Sequence, residues 1–88
     1  MARAVVLDPE ARAALEAGLA GSAAGGSHHA QRDTGAGFCV FNDVAVAAAA
    51  LLAEGAIGRA LVVDCDVHQG DGTADCLAGE DRVFTFSL

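Results

Sequence analysis

The chain has 88 residues, of which 53% are hydrophobic and 19% charged, and its formal net charge is −7. This negative charge argues against nucleic acid or an anionic membrane surface as a partner. With four Phe and neither Tyr nor Trp, a core would have to be filled by Ala, Val and Leu. A chain this apolar, with so few large side chains, has a composition typical of the interior of a larger domain. We therefore expect it to be a piece of a larger α/β domain.

No apolar segment is long enough for a membrane. The first, at positions 4–7, ends at Asp8-Pro9 and is too short for a signal peptide, and the run at Ala45–Ala53 falls short of the roughly 20 residues that span a bilayer. The three cysteines are odd in number and lack CxxC spacing, which favours free thiols in a reducing compartment. We therefore predict a cytoplasmic protein that does not bind membranes.

A first helix is predicted from Asp8 to about Ala17. Asp8 suits the N-cap, Pro9 suits the first helical position, and Gly18 follows as a stop. The small residues at 21–27 form either a flexible linker or a segment whose glycines allow close backbone approach. We favour the second, because a histidine pair follows at once and would need a fixed position.

The second helix is predicted to begin after an N-cap at Asn42 and to end near Ala53, before Gly55. Its residues are apolar on all sides, which is typical of a buried helix. Three further elements are predicted: a buried strand at Ala60–Val67, a short helix at Asp75–Ala78 and a strand at Arg82–Leu88. Strands separated by helical segments predict an α/β fold with a parallel sheet.

Side chains that bind metals cluster near the end of the first predicted strand. By strand alternation, Asp64, Asp66 and His68 would project from one face. Crowded carboxylates repel one another and are costly to desolvate, and a cation relieves both problems. A catalytic zinc usually takes three protein ligands, of which this motif offers two good ones. The alternative is an Asp-lined turn in which His68 caps a backbone carbonyl.

Two adjacent histidines, His28 and His29, lie upstream of these carboxylates. They are candidates for two His–Asp pairs, in which each carboxylate orients an imidazole and raises its basicity. One imidazole would then take a proton from water while the other stabilises charge. The alternative is a pair of solvated loop histidines.

An aromatic residue, Phe38, follows the histidines between small residues. It would form one wall of a substrate channel. The alternative is that it packs into a core, as a loop Phe more often does.

Three ordered blocks of the sequence resemble the histone deacetylase superfamily, which includes acetoin-utilisation proteins and acetylpolyamine amidohydrolases. The blocks are Gly25-Gly26-Ser27-His28-His29-Ala30, Gly37-Phe38-Cys39-Val40-Phe41-Asn42-Asp43 and Asp64-Cys65-Asp66-Val67-His68-Gln69-Gly70-Asp71-Gly72-Thr73. The resemblance covers residues 25–88 and is closest to bacterial members and their class IV-type relatives. It implies an arginase-like three-layer α/β sandwich around a parallel sheet, with residues 1–88 forming part of the catalytic domain.

The resemblance implies catalytic roles for two histidines and two carboxylates: His28, His29, Asp64 and Asp71. The second histidine would transfer the proton, and the carboxylates would pair with the first and second histidines in that order. Two of the three zinc ligands are matched by Asp66 and His68. The third ligand, an Asp, and a carbonyl-polarising Tyr would come from positions after Leu88, and this chain contains no Tyr.

Two further sites are implied in the same way. The channel for the acylated side chain is matched by Gly37, Phe38 and Cys39. A structural site for a monovalent cation, K⁺ or Na⁺, is matched by Asp64, Asp66, His68, Ser87 and Leu88.

The function implied is a zinc-dependent amide hydrolase that removes acetyl groups from acetyl-lysine or a related acetylated amine. One alternative is an acetylpolyamine or other small-molecule amidohydrolase, and another is an inactive fragment that binds a metal or a partner chain. We expect the partner to be the remainder of the catalytic domain. By itself, the chain is expected to bind zinc weakly and to have no useful turnover.

Overall fold

The structure, a computed structural model, describes residues 7–21, 27–37, 39 and 41–88. Within these ranges the elements in chain order are α1 (Leu7–Ala17), α2 (Asp43–Ala53), β1 (Ala60–Asp64), α3 (Asp71–Cys76) and β2 (Val83–Ser87). Phe38 and residues 22–26 of the predicted glycine-rich approach segment lie outside the described residues. The coarse prediction of an α/β fold with a parallel sheet is confirmed for the described part of the chain.

Helix α1 begins at Leu7, one residue before the predicted cap at Asp8. Pro9 is therefore the third helical residue rather than the first, which costs no hydrogen bond because the first turn's N–H groups have no intrahelical acceptor. The helix ends at Ala17 as predicted, with Gly18 at a φ of 88°. The two terminal guanidinium nitrogens of Arg12 donate to the Glu54 carboxylate, at 2.7 and 2.8 Å, and so connect α1 to the end of α2.

Helix α2 forms the centre of the small core, as its apolar sequence predicted. Its N-cap is Asn42, whose Oδ1 accepts a hydrogen bond from Ala45 N at 3.0 Å, and Gly55 follows its end at a φ of 73°. The buried side chains of α2 are Ala45, Ala47, Ala48, Leu51 and Leu52. None of the helices that the structure describes is long and apolar enough to cross a membrane.

Strands β1 and β2 pair in parallel, from Ala60 beside Val83 to Asp64 beside Ser87. Strand β1 ends three residues earlier than predicted because Oδ1 of Asp64 accepts a hydrogen bond from the backbone N of Asp66 at 3.0 Å. An Asp side chain bonded to the backbone two residues on forms an Asx turn, which competes with continued strand pairing. The predicted alternation of Asp64, Asp66 and His68 along one strand is therefore wrong.

Helix α3 also departs from the prediction, since it covers Asp71–Cys76 instead of Asp75–Ala78. Gly72 lies inside the first turn of this helix and is buried. Gly72 has no side chain, and the backbone at His29 and Ala30 occupies the space where a side chain would lie. The early start of α3 brings Asp71 beside the histidine pair.

The sheet exposes an apolar face. Its exposed side chains, which alternate along the two strands, are Leu61, Val63, Phe84 and Phe86. The prediction that the first strand is buried on both faces is therefore wrong for the part of the chain described here. A parallel sheet normally has both faces covered.

Candidate active site

Two successive Asx turns shape the loop after β1. Asp64 accepts from the backbone N of Asp66, and Oδ1 of Asp66 in turn accepts from the backbone N of His68 at 2.8 Å. The Asp-lined turn that was considered as an alternative is thus present, but His68 does not cap a carbonyl in the manner suggested. Its ring Nδ1 faces the Asp66 carboxylate instead.

His68 and Asp66 place two atoms of the kinds that bind metals, a ring nitrogen and a carboxylate oxygen, next to each other. Nδ1 of His68 lies 3.1 Å from Oδ1 of Asp66, and both side chains are exposed. Two ligands of a tetrahedral zinc, each about 2.0–2.2 Å from the ion, are separated by about 3.3–3.6 Å. The two atoms are thus slightly closer together than one edge of a zinc tetrahedron.

The electrostatics of Asp66 also suit a metal ligand. The backbone N–H of His68, followed by the His68 ring, holds the pKa of the Asp66 carboxyl below its ordinary value of 3.8. The carboxylate is thus ionised at neutral pH, as metal binding requires. Within the described ranges, no group of three or more His, Cys, Asp or Glu side chains is arranged to hold a metal. A zinc ion at this pair would need at least one further ligand.

The first histidine forms the more enclosed of two His–carboxylate pairs. Nδ1 of His28 lies 2.6 Å from Oδ2 of Asp64, and the two side chains are only 14% and 16% exposed. Its other ring nitrogen, Nε2, is 3.9 Å from Oδ1 of Asp66. His28 therefore lies between the carboxylate that orients it and the candidate metal pair.

The second histidine forms a more open pair. Nδ1 of His29 lies 2.7 Å from Oδ1 of Asp71, the first residue of α3, and these side chains are 23% and 48% exposed. The rings of His28 and His29 are 4.2 Å apart, and those of His29 and His68 are 6.0 Å apart. The alternative of two solvated loop histidines is wrong, because each ring is partly buried and has a carboxylate partner.

The His29–Asp71 pair predicts a change in stability with pH. The hydrogen bond to His29 lowers the pKa of Asp71 below 3.8 in the folded chain. A carboxyl with a lowered folded pKa stabilises the fold above its ordinary pKa, and this stabilisation disappears as the pH falls through the folded value. We therefore expect the difference in unfolding free energy between wild type and Asp71→Asn to narrow below about pH 4. Urea unfolding at pH 7, 5, 4 and 3 measures this difference, and a constant difference would contradict the assignment.

Three glycines allow the site residues to approach one another, a role that the sequence did not reveal. A Cβ on Gly37 would lie 2.6 Å from Cδ2 of His29, and Gly37 has a φ of 53°. A Cβ on Gly70 would overlap the Asp64 carboxylate, and one on Gly72 would overlap the backbone at His29. The only available sequence signal was that these glycines adjoin the candidate site residues.

The remaining predicted site residues lie around this cluster. Gly37 packs on the His29 ring, Cys39 is partly buried, and Phe38 is outside the described residues. At the predicted cation site, Ser87 Oγ accepts from Gly70 N at 3.0 Å, and Leu88 N donates to the Asp64 carbonyl at 3.1 Å. The channel and the cation site remain predictions.

The histone deacetylase domain family matches residues 3–88 of the chain. The chain belongs to the histone deacetylase family. This match confirms the superfamily predicted from the three sequence blocks.

Three relatives show how much of a family member the chain represents. It is 51% identical over 78 residues to an uncharacterized protein of Picosynechococcus, a match covering 89% of this chain and 26% of that protein. It is 42% identical over 64 residues to the acetoin utilization protein AcuC of Staphylococcus aureus, covering 73% and 16%. It is 47% identical over 64 residues to histone deacetylase 5 of Arabidopsis thaliana, covering 69% and 10%. The chain thus spans about a quarter, or less, of these relatives.

Proposed function

We propose that the chain is part of a zinc-dependent amide hydrolase that removes acetyl groups from acetyl-lysine or a related acetylated amine. The observation that carries this proposal is that two His–carboxylate pairs lie beside two adjacent atoms that can bind a metal. The histidine rings are 4.2 Å apart, and the ligand atoms of Asp66 and His68 are 3.1 Å apart. Family membership adds the reaction class.

Asp66 and His68 would hold the zinc, together with a third ligand from outside the described residues. A bound zinc supplies a Lewis acid that polarises the amide carbonyl and lowers the pKa of water. The ionised Asp66 carboxylate offsets part of the charge of the cation, and the exposure of both side chains leaves room for substrate and a further ligand. Both properties fit an open catalytic site better than a closed structural one.

His29 is proposed to transfer the proton. Because Nδ1 is hydrogen-bonded to Asp71 at 2.7 Å, Nε2 is the ring nitrogen that takes up a proton from the attacking water and returns it to the departing amine nitrogen. Asp71 fixes the tautomer and orientation of the ring, and its lowered pKa keeps it ionised while His29 becomes charged. The greater openness of this pair suits repeated proton exchange.

His28 is proposed to stabilise charge rather than to move a proton. Its contact with Asp64 at 2.6 Å is the more enclosed of the two pairs. A fixed donor in a partly dehydrated environment stabilises charge that develops in the transition state without reorganising. His29 would thus exchange the proton, while His28 would stay in place and stabilise charge.

The exposed apolar sheet face supports the proposal that the remainder of the catalytic domain is the partner of this chain. The two strands that the structure describes leave Leu61, Val63, Phe84 and Phe86 on an uncovered face, whereas a parallel sheet normally has both faces covered. Further strands and a covering layer would complete the three-layer sandwich. A cytoplasmic location, which free thiols at Cys39, Cys65 and Cys76 favour, belongs to the same proposal.

One observation favours a second candidate function, an inactive fragment that binds a metal or a partner chain. Two metal ligands, without a third among the described residues, give a weak site with no complete catalytic centre. A small acetylated amine such as an acetylpolyamine is an alternative substrate within the leading proposal. The net charge of −7 suits cationic substrates of both kinds.

A chimera tests the proposed function. The 64 residues of Arabidopsis histone deacetylase 5 that match this chain would be replaced by the corresponding residues of this chain. We expect zinc-dependent acetate release from an acetyl-lysine peptide or an acetylpolyamine. A folded chimera that binds zinc and releases no acetate from either substrate would favour the inactive fragment.

A further inference from the structure

Polar groups at the starts of α2 and α3 form hydrogen bonds with the backbone around the histidine pair. The carbonyl of His28 accepts from the backbone N of Thr73 at 3.1 Å, and the carbonyl of Ala30 accepts from Nδ2 of Asn42 at 3.1 Å. Before the pair, the backbone N of Ser27 donates to Oδ1 of Asp43 at 3.1 Å. The turn at residues 27–30, which carries the histidine pair, is thus hydrogen-bonded to the start of α2 at both ends and to α3 in the middle.

Asn42 uses both ends of its side-chain amide. Its Oδ1 caps α2 through Ala45 N, while Nδ2 donates to the Ala30 carbonyl and to Oγ1 of Thr73, the latter at 3.0 Å. Asn42 and Thr73 are 4% and 3% exposed, and Ala30 is fully buried. A buried amide with these partners is costly to disturb, since any lost contact leaves a polar group unsatisfied.

Thr73 lies in the helical turn that also carries Asp71. The first turn of α3 therefore holds the histidine backbone through Thr73 and the His29 ring through Asp71. A shift of the turn relative to α3 would change the His29–Asp71 distance, and the same shift would change the contact of His28 with Asp64 at the end of β1.

We propose that Asn42 and Thr73 are positioning residues that hold His28 and His29 in register with their carboxylates. The positioning rests on the geometry alone, and its catalytic meaning rests on the proposed function. Neither side chain touches the reacting atoms: Asn42 binds the backbone of the turn at Ala30, and the Thr73 hydroxyl acts through the Asn42 amide. Asn42 couples the N-terminus of α2 to the site and has a function beyond capping the helix.

Asn42→Asp separates the two functions of this side chain. Asp caps helices as well as Asn, so the contact with Ala45 N remains available. The substitution replaces the Nδ2 donor with an oxygen that faces the Ala30 carbonyl and so repels it. Thr73→Val removes the hydroxyl at nearly constant shape, and Thr73→Ser retains it as a matched control.

The test uses the full 88-residue chain with ¹⁵N-labelled histidine. An imidazole Nδ1–H bonded to a carboxylate gives a downfield proton signal, so wild type should show one from His28 and one from His29, beside any signal from the exposed His68–Asp66 pair. We expect Asn42→Asp to keep the wild-type circular dichroism and to lose or broaden both signals, Thr73→Val to weaken them, and Thr73→Ser to preserve them. In the chimera, Asn42→Asp should lower kcat on the order of 10²-fold, as about 1 Å of misplacement does, with KM little changed.

Several results would overturn the proposal. Wild type without the two signals would show that the pairs are not held, and unchanged signals in both Asn42→Asp and Thr73→Val would show that these side chains do not position them. Loss of helix content in Asn42→Asp would mean that the Asn42 side chain is needed for the fold and has no separate function in positioning the histidines. A chimera without activity, while the signals respond as expected, would refute the proposed function and leave the positioning intact.

Discussion

His29→Ala in the chimera is expected to lower kcat by about 10²- to 10⁴-fold, the usual contribution of a positioned general acid–base group. The reason is that the substitution removes the open His29–Asp71 pair and leaves the more enclosed His28–Asp64 pair in place. KM should change little, because the proton is transferred only in the chemical step. Steady-state acetate release at several substrate concentrations separates the two parameters.

Two companion variants sharpen this measurement. Asp71→Asn should retain the shape of the pair and lower kcat by less than His29→Ala, since the ring remains but loses its charged partner. Gln31→Ala, an exposed position two residues away, should leave kcat unchanged. If His29→Ala retained the activity of the unsubstituted chimera, a different group would have to transfer the proton.

Gly72→Ala is expected to have the largest effect on stability. A Cβ at this buried position would overlap the Ala30 carbonyl and the backbone of His29, and backbone atoms have little freedom to move away. Overpacking of this kind destabilises a fold by about 1–3 kcal/mol and occasionally more. Urea unfolding measures the loss, and both downfield histidine signals should disappear with it.

Gly58→Ala provides the matched control for this substitution. A Cβ on Gly58 would meet no atom within 4 Å, so we expect a change within about 0.5 kcal/mol in either direction. Equal effects of the two substitutions would mean that the backbone of the histidine turn does not pack on α3. The comparison tests the position of α3, which differs from the sequence prediction.

Elements with strong local signals were predicted well from the sequence. The N-cap at Asn42 and the glycine after α2 depend only on neighbouring residues, and both are present as predicted. The ends of β1 and α3 were predicted wrongly because side-chain contacts overrode the local pattern. Asp64 turned the chain by bonding to Asp66, and contact with the histidine turn stabilised a helix that begins at Asp71.

The candidate site was only partly accessible from the sequence. The metal-ligating character of Asp66 and His68 followed from the residue types and their spacing. The assignment of each carboxylate to its histidine came from family resemblance, because His28 and Asp64 are 36 positions apart and no local pattern relates them. The contact of Asn42 with Ala30 was missed for a similar reason, since capping α2 already explained that residue.

A zinc titration of the ¹⁵N-histidine-labelled chain distinguishes the proposed metal ligand His68 from the proposed proton-transfer and charge-stabilising histidines. All three histidines of the chain lie in the candidate site, and each reports on a different assignment. We expect Nδ1 of His68 to shift as zinc is added, while Nδ1 of His28 and His29 keep their downfield protons, and we expect the shift of His68 to be lost in Asp66→Ala. Zinc bound through His28 or His29 with His68 unchanged would contradict the assignment of metal and proton-transfer residues.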